Sequence, residues 1–165
     1  MVEFVKTILT GQFEAALYML NECIRKCPLE HWEGRIANST FRQIAYHTLF
    51  FADLYLSSGE VTFALRSLHH RGGDERFSTA PSLGLAKDET LSYLAVCHQK
   101  ALDTFASETP ESLKRVSGFS WLPFSRGELH LYNLRHVQHH TGQMSAYLRR
   151  IVEDGERWWV KTGWR

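Results

Sequence analysis

Four long segments with helical periodicity constrain the fold of this 165-residue chain more than any other feature. Apolar residues recur every three or four positions over about residues 3–26, 40–56, 88–107 and 125–154. No segment shows a strand pattern of comparable strength. Because each amphipathic helix must bury its apolar face against another element, the pattern predicts an all-α fold, a four-helix bundle.

Short sequence patterns indicate where two of these helices begin. Thr40 with Gln43, and Ser125 with Glu128, have the spacing of capping boxes. The connection between the second and third helices, about residues 57–87, is long. A long connection permits a crossover along the bundle, so the sequence leaves open whether the topology is simple up-and-down.

The same patterns predict which side chains are exposed beside the third helix and which are buried on it. We interpret His69 and His70, beside Arg71-Gly72-Gly73, as exposed loop residues. For the third helix, periodicity predicts an inner face made of Leu91, Leu94, Ala95, His98, Leu102 and Phe105.

Size, charge and cysteine content narrow the class of protein. A chain of this length fits one domain, residues 1–165. The net charge of +1 and the lack of long basic runs argue against a nucleic-acid partner. No apolar run approaches the roughly 20 residues of a membrane span, and the N-terminus lacks a signal-peptide layout. Three cysteines suit a reducing compartment. We therefore expect a cytoplasmic protein with no membrane partner.

The C-terminal tail is unusually rich in tryptophan. Residues 155–165 contain three of the five tryptophans of the chain. Exposed to water, they would form an apolar patch. We expect this tail to pack on the bundle or on a second subunit.

Three histidines on apolar helical faces are the candidate functional residues. His136 and His140 lie four residues apart, which places two imidazoles on one face of the fourth helix. His47 lies on the apolar face of the second helix. One interpretation is that each is a buried neutral histidine with its own hydrogen-bond partner. The other is that the three rings bind one divalent transition metal and leave a coordination position open for chemistry.

The residues around these histidines exclude two neighbouring kinds of metal site. Val137 occupies the position of the general-base glutamate in a His-Glu-x-x-His metalloprotease helix. The chain contains no Glu-x-x-His, the pair that di-iron bundles use. A mononuclear site with nitrogen ligands remains. Gln143 and Glu128 are candidates for orienting the ligand rings, although Glu128 serves equally well as a cap of its helix.

Three sequence stretches resemble the DinB-like, or YfiT-like, family of metal-dependent enzymes. They are residues 46–51 (YHTLFF), 126–129 (RGEL) and 133–143 (NLRHVQHHTGQ). The resemblance implies a four-helix bundle whose metal ligands are here His47, His136 and His140. It implies zinc or nickel, with iron or manganese as further options, and frequently a homodimer.

The resemblance also suggests a reaction. Characterised members include S-transferases that use low-molecular-weight thiols such as bacillithiol or mycothiol, and a mycothiol-dependent isomerase. We therefore favour the transfer of a thiol cosubstrate to a small electrophilic substrate. Two alternatives remain open at this point. A metal-bound hydroxide would make the protein a hydrolase, and a fourth ligand, His139 being the nearest candidate, would make it a non-catalytic metal-binding or dimerisation module.

Overall fold

The protein folds as a bundle of α-helices. The computed structural model describes residues 1–72, 85–152 and 160–164, and residues 70–72 by their backbone only. None of the helices in these ranges is long and apolar enough to cross a membrane. The helices are α1 (Val2–Lys26), α2 (Phe41–Leu56), α3 (Ser67–Gly72), α4 (Lys87–Ser107), α5 (Pro110–Lys114) and α6 (Arg126–Ile151). The predicted all-α fold is confirmed.

A small antiparallel sheet precedes α2 and was not predicted. Its strands are β1 (Arg35–Ile36) and β2 (Ser39–Thr40), with Arg35 opposite Thr40. Strands of two residues are too short for an alternating pattern to reveal them.

Both predicted capping boxes form. Thr40 Oγ1 accepts a hydrogen bond from the Gln43 amide, and Gln43 Oε1 accepts one from the Thr40 amide. Ser125 and Glu128 make the same reciprocal pair at the start of α6. Each box satisfies backbone N–H groups that have no partner within the helix, so the two helices that carry the candidate histidines begin where the sequence indicated.

The four long helices do not follow a simple up-and-down order. α1 and α2 each pack against α4 and α6 and therefore occupy opposite corners of the bundle. The Cys97 thiol lies 3.6 Å from the Leu49 carbonyl oxygen, and the Thr104 hydroxyl lies 3.3 Å from that of Leu56. Residue numbers thus rise together along α2 and α4, and the two helices are parallel. The end of α2 and the start of α4 consequently lie at opposite ends of the bundle.

The inner face of α4 is rotated from the predicted one. Leu94 and Phe105 are buried as expected, but Ala95 is exposed and His98 is only half-buried. The prediction relied on apolar residues and overlooked the polar residues of α4 that lie in the core. The buried residues of α4 are Thr90, Tyr93, Leu94, Cys97, Ala101 and Phe105.

A buried polar cluster explains this rotation. The Tyr93 hydroxyl donates a hydrogen bond to Asp53 Oδ2 (3.0 Å) and lies 2.9 Å from His69 Nε2. Lys100 Nζ donates to Asp53 Oδ1 at 2.5 Å. The prediction that His69 is exposed is wrong, because α3 carries its ring into this cluster, where only 6% of the residue is accessible. The side chain of His70 lies outside the described residues.

The described end of the tail packs on the bundle. The Gly163 amide donates to the Gly11 carbonyl of α1 at 2.8 Å. The Trp164 ring stacks on His98 of α4 with ring centroids 4.4 Å apart. Residues 158–159, the other two tryptophans of the tail, lie outside the described ranges, and a second subunit remains an expectation.

A buried carboxylate joins the end of α4 to the start of α6. Glu108 is 4% exposed. Its Oε1 lies 2.5 Å from Arg126 Nε and 2.9 Å from His130 Nε2, and Ser112 donates to its other oxygen. Burial on its own would raise the pKa of Glu108, but the hydrogen bonds from His130, Ser112 and Arg126 outweigh it and lower the pKa to about 2.

We expect Glu108→Gln to destabilise the protein by about 3 kcal/mol at pH 7, because it leaves the Arg126 charge poorly compensated. The pKa of Glu108 is lower in the folded than in the unfolded state, so its stabilisation is complete above about pH 4.5 and is lost as pH falls towards 2. Urea unfolding between pH 2 and 7 measures both effects. The exposed neighbour Glu111, changed to Gln, is the control. A variant E108Q with the stability and acid sensitivity of the wild type would contradict this account.

Candidate metal centre

The three candidate histidines come together in the structure. His47 projects from α2, and His136 and His140 project from α6. The Nε2 atoms of His47 and His136 are 3.3 Å apart. One ring nitrogen from each of the three residues lies within 4.8 Å of the others. In the described part of the chain, these three residues form the group of histidine, cysteine or carboxylate side chains that is spaced to share one ion.

Two contacts between α2 and α6 establish this register. The Asn133 side-chain amide donates to the Ala52 carbonyl oxygen at 3.1 Å, and Arg126 Nη1 donates to the Ser57 carbonyl oxygen at 2.7 Å. Residue numbers fall along α6 as they rise along α2, so the two helices are antiparallel. Continuing the same register by about two turns brings His47 opposite the His136 and His140 pair.

The nitrogen separation fits a single ion. Two nitrogen ligands about 2.05 Å from a tetrahedral ion lie about 3.3 Å apart. The Nε2 atoms of His47 and His136 have this separation. Neutral imidazole is also the donor that zinc, nickel and related divalent ions accept. His47 and His136 therefore have the spacing of two ligands of one ion, and the third ring nitrogen lies within 4.8 Å of theirs.

Gln143 orients one of the rings. His140 Nδ1 lies 2.8 Å from Gln143 Oε1. Because an amide oxygen accepts hydrogen bonds, this contact places the imidazole proton on Nδ1 and leaves the Nε2 lone pair available. Glu128, the other predicted orienting residue, has its carboxylate bonded to Ser125 in the capping box.

The environment lowers the pKa of His136 and of His140 and so favours their neutral rings. Burial, followed by the proximity of His140, His47 and His139, lowers the pKa of His136 to about 3. Burial also lowers the pKa of His140, against the opposing effect of its hydrogen bond to Gln143. Neutral imidazole is the form that ligates a metal, so these shifts favour binding.

One ring nitrogen in the cluster has no hydrogen-bond partner. His136 Nδ1 is buried, and no donor or acceptor of the described residues reaches it. An unsatisfied buried polar group costs about 1–3 kcal/mol. Hydrogen bonding among the described residues therefore leaves Nδ1 of His136 unsatisfied, which weakens the interpretation of three independently satisfied core histidines.

Aromatic side chains of α2 enclose the cluster on one side. The Phe51 ring lies 4.8 Å from His47 and 5.6 Å from His136, centroid to centroid, and Tyr55 lies 6.3 Å from His136. Phe119, from the segment before α6, packs on Tyr55 at 5.6 Å. Neither Phe51 nor Tyr55 was predicted to take part in the site. Their spacing of four and eight residues from His47 is the signal that could have identified them.

A pocket borders one histidine of the cluster, His136. A pocket of about 390 Å³ is lined by Tyr132, Arg135, His136 and His139. His139 is exposed, with its ring 4.9 Å from that of His140. It does not belong to the group of nitrogen atoms described above. One of the three clustered histidines thus borders a space that a small molecule can enter.

Comparison with known proteins supports the interpretation drawn from the residues. Residues 12–144 match the sequence profile of the DinB superfamily, and the match includes all three histidines. No curated protein and no solved structure matches the chain. Since the match covers most of the 165 residues, the protein belongs to the DinB superfamily.

Proposed function

We propose that the protein is a metal-dependent enzyme whose single divalent ion is bound by His47, His136 and His140. The observation that carries the proposal is the separation of 3.3 Å between two Nε2 atoms, with the third nitrogen within 4.8 Å. Zinc or nickel suits three imidazole nitrogens best, and iron or manganese is also compatible with them. Membership of the DinB superfamily fits this proposal.

The number of ligands favours catalysis over a structural role. Structural zinc sites are closed by four protein ligands, whereas catalytic sites keep one position open. Over the described ranges the cluster has three ligands, and the pocket at His136 adjoins it. When bound, a divalent ion at such a site acidifies a thiol or a water molecule.

The reaction we propose is the transfer of a low-molecular-weight thiol to an electrophilic carbon. The thiol loses its proton to solvent, the sulfur electron pair forms a new carbon–sulfur bond, and the leaving group departs with the electrons of the broken bond. In this scheme Gln143 holds the orientation of the His140 ring. Phe51 and Tyr55 exclude water from the side of the cluster that faces α2.

Metal content tests the ligand set. We expect the wild type to bind one zinc or nickel ion per chain and His47→Ala, His136→Ala and His140→Ala to lose most of it, because each removes one of three ligands. Metal analysis after dialysis measures the stoichiometry. His139→Ala is the matched control, since it removes an exposed neighbouring imidazole. Retention of one tightly bound ion in all three ligand variants would end the proposal.

The orienting role of Gln143 predicts a smaller effect. Gln143→Leu removes the acceptor for His140 Nδ1, and we expect metal affinity to fall about 10- to 100-fold. Competition with a chromophoric chelator measures this affinity. Gln138→Leu is the control on the same helix, because the Gln138 side chain donates to Met19 and, among the described residues, has no side-chain hydrogen bond to a histidine. Equal affinities for the two variants would show that Gln143 does not orient the ligand.

Turnover tests the reaction. We expect the metal-loaded wild type to accelerate conjugation of a thiol, such as glutathione, bacillithiol or mycothiol, with 1-chloro-2,4-dinitrobenzene, and His136→Ala to lose the acceleration. Formation of the dinitrophenyl thioether is followed by its absorbance. A parallel assay uses p-nitrophenyl acetate without thiol. Metal-dependent ester cleavage without conjugation would identify a hydrolase, and a metal-bound protein inactive in both assays would indicate a non-catalytic module.

A further inference from the structure

We propose that the pocket beside His136 accepts an anionic substrate and that Arg135 binds its carboxylate. This inference rests on the proposed function. It narrows that function, because it restricts the thiol cosubstrate to low-molecular-weight thiols that carry a carboxylate. Arg135 is then a specificity-determining residue that contacts the part of the thiol cosubstrate remote from its reacting sulfur.

The position of Arg135 is the first support. It adjoins His136 in sequence and lines the same pocket. Its guanidinium carbon lies 5.8 Å from the centre of the Tyr132 ring, which also lines the pocket. A cation–π contact with an aromatic face restrains the guanidinium and leaves its N–H groups available to a ligand. Those groups have the geometry that a carboxylate accepts in a bidentate manner.

The charges at the pocket are the second support. Its lining contains the cation Arg135, the neutral ring of His136 and, within the described residues, no aspartate or glutamate. Within the described part of the chain, Arg135 makes no ion pair and no side-chain hydrogen bond. Arg126, in contrast, is paired with Glu108. A guanidinium without an intramolecular anion retains its full charge for a ligand. The described lining of the pocket therefore carries positive charge through Arg135.

A second arginine of α6 shows that an arginine beside a tyrosine ring does not by itself define an anion site. Arg150 lies 5.9 Å from the centre of the Tyr147 ring and follows it by three residues, as Arg135 follows Tyr132. Arg150 does not line the pocket next to His136. The two arginines thus share local surroundings and differ in their proximity to the cluster, which makes Arg150 a matched control.

The pocket has room for a small anionic thiol. A volume of about 390 Å³ lies at the lower end of the range for small-molecule sites. A thiol of a few carbon atoms with one carboxylate fits this space. Its carboxylate would contact Arg135, and its sulfur would lie towards His136.

A pair of thiols of equal size tests the proposal. 3-Mercaptopropionate carries a carboxylate, and 3-mercaptopropionamide is its neutral counterpart. Binding to the cobalt-substituted protein is followed by the visible spectrum of the ion. We expect the wild type and Arg150→Ala to bind the carboxylate thiol about tenfold more tightly than the amide, and Arg135→Ala to bind both equally. An undiminished preference in R135A, or equal binding in the wild type, would overturn the inference while leaving the proposed function intact.

A titration of the metal-free protein separates the two proposals. Glutarate has carboxylates but no thiol, and its binding is followed by the NMR shift of the Arg135 Nε–H group, with glutaramide as the neutral control. If neither thiol perturbs the cobalt spectrum, the proposed thiol chemistry fails. In that event, a glutarate-specific shift that is retained in R150A still supports an anion site at Arg135, and the absence of a shift overturns it.

Discussion

The antiparallel packing of α2 against α6 is the constraint on which the candidate site depends. His47 meets His136 and His140 only in one register, which Arg126 and Asn133 establish through backbone carbonyl groups of α2. A slip of one helical turn would move these side chains apart by about 5.4 Å. Metal–nitrogen bonds are about 2 Å long, so such a slip would abolish a shared ion. The hydrogen bonds of Glu108 to Arg126 and His130 hold the start of α6 and thus support the register.

Glu108 and His136 show how partners decide the effect of burial. Burial opposes the charged form of both residues. Glu108 has three hydrogen-bond donors, which outweigh burial, and it stays ionised with a pKa of about 2. His136 faces other imidazoles and no carboxylate among the described residues, so its pKa falls to about 3 and the ring stays neutral. The first arrangement stabilises the bundle. The second provides nitrogen lone pairs, a property that favours ligand chemistry.

Local sequence patterns predicted the fold class, the long helices and both capping boxes, because periodicity and capping act over a few residues. They also selected His47, His136 and His140 from the nine histidines of the chain. They failed where distant contacts decide burial. His69 is buried because Tyr93 and Asp53 satisfy its polar ring, and those partners lie in other helices. The face of α4 was misjudged for the same reason, since its core includes polar side chains that an apolar pattern overlooks.

The amino-acid sequence by itself determined that four long helices form, where two of them begin, and that His136 and His140 share one face, because a helix repeats every 3.6 residues whatever surrounds it. Only the tertiary structure decided that α2 and α4 are parallel, that His47 lies 3.3 Å from His136, and that Arg135 and His136 line one pocket. The physical reason is the distance along the chain. His47 and His136 are 89 residues apart, and only the packing of whole helices brings such residues into contact.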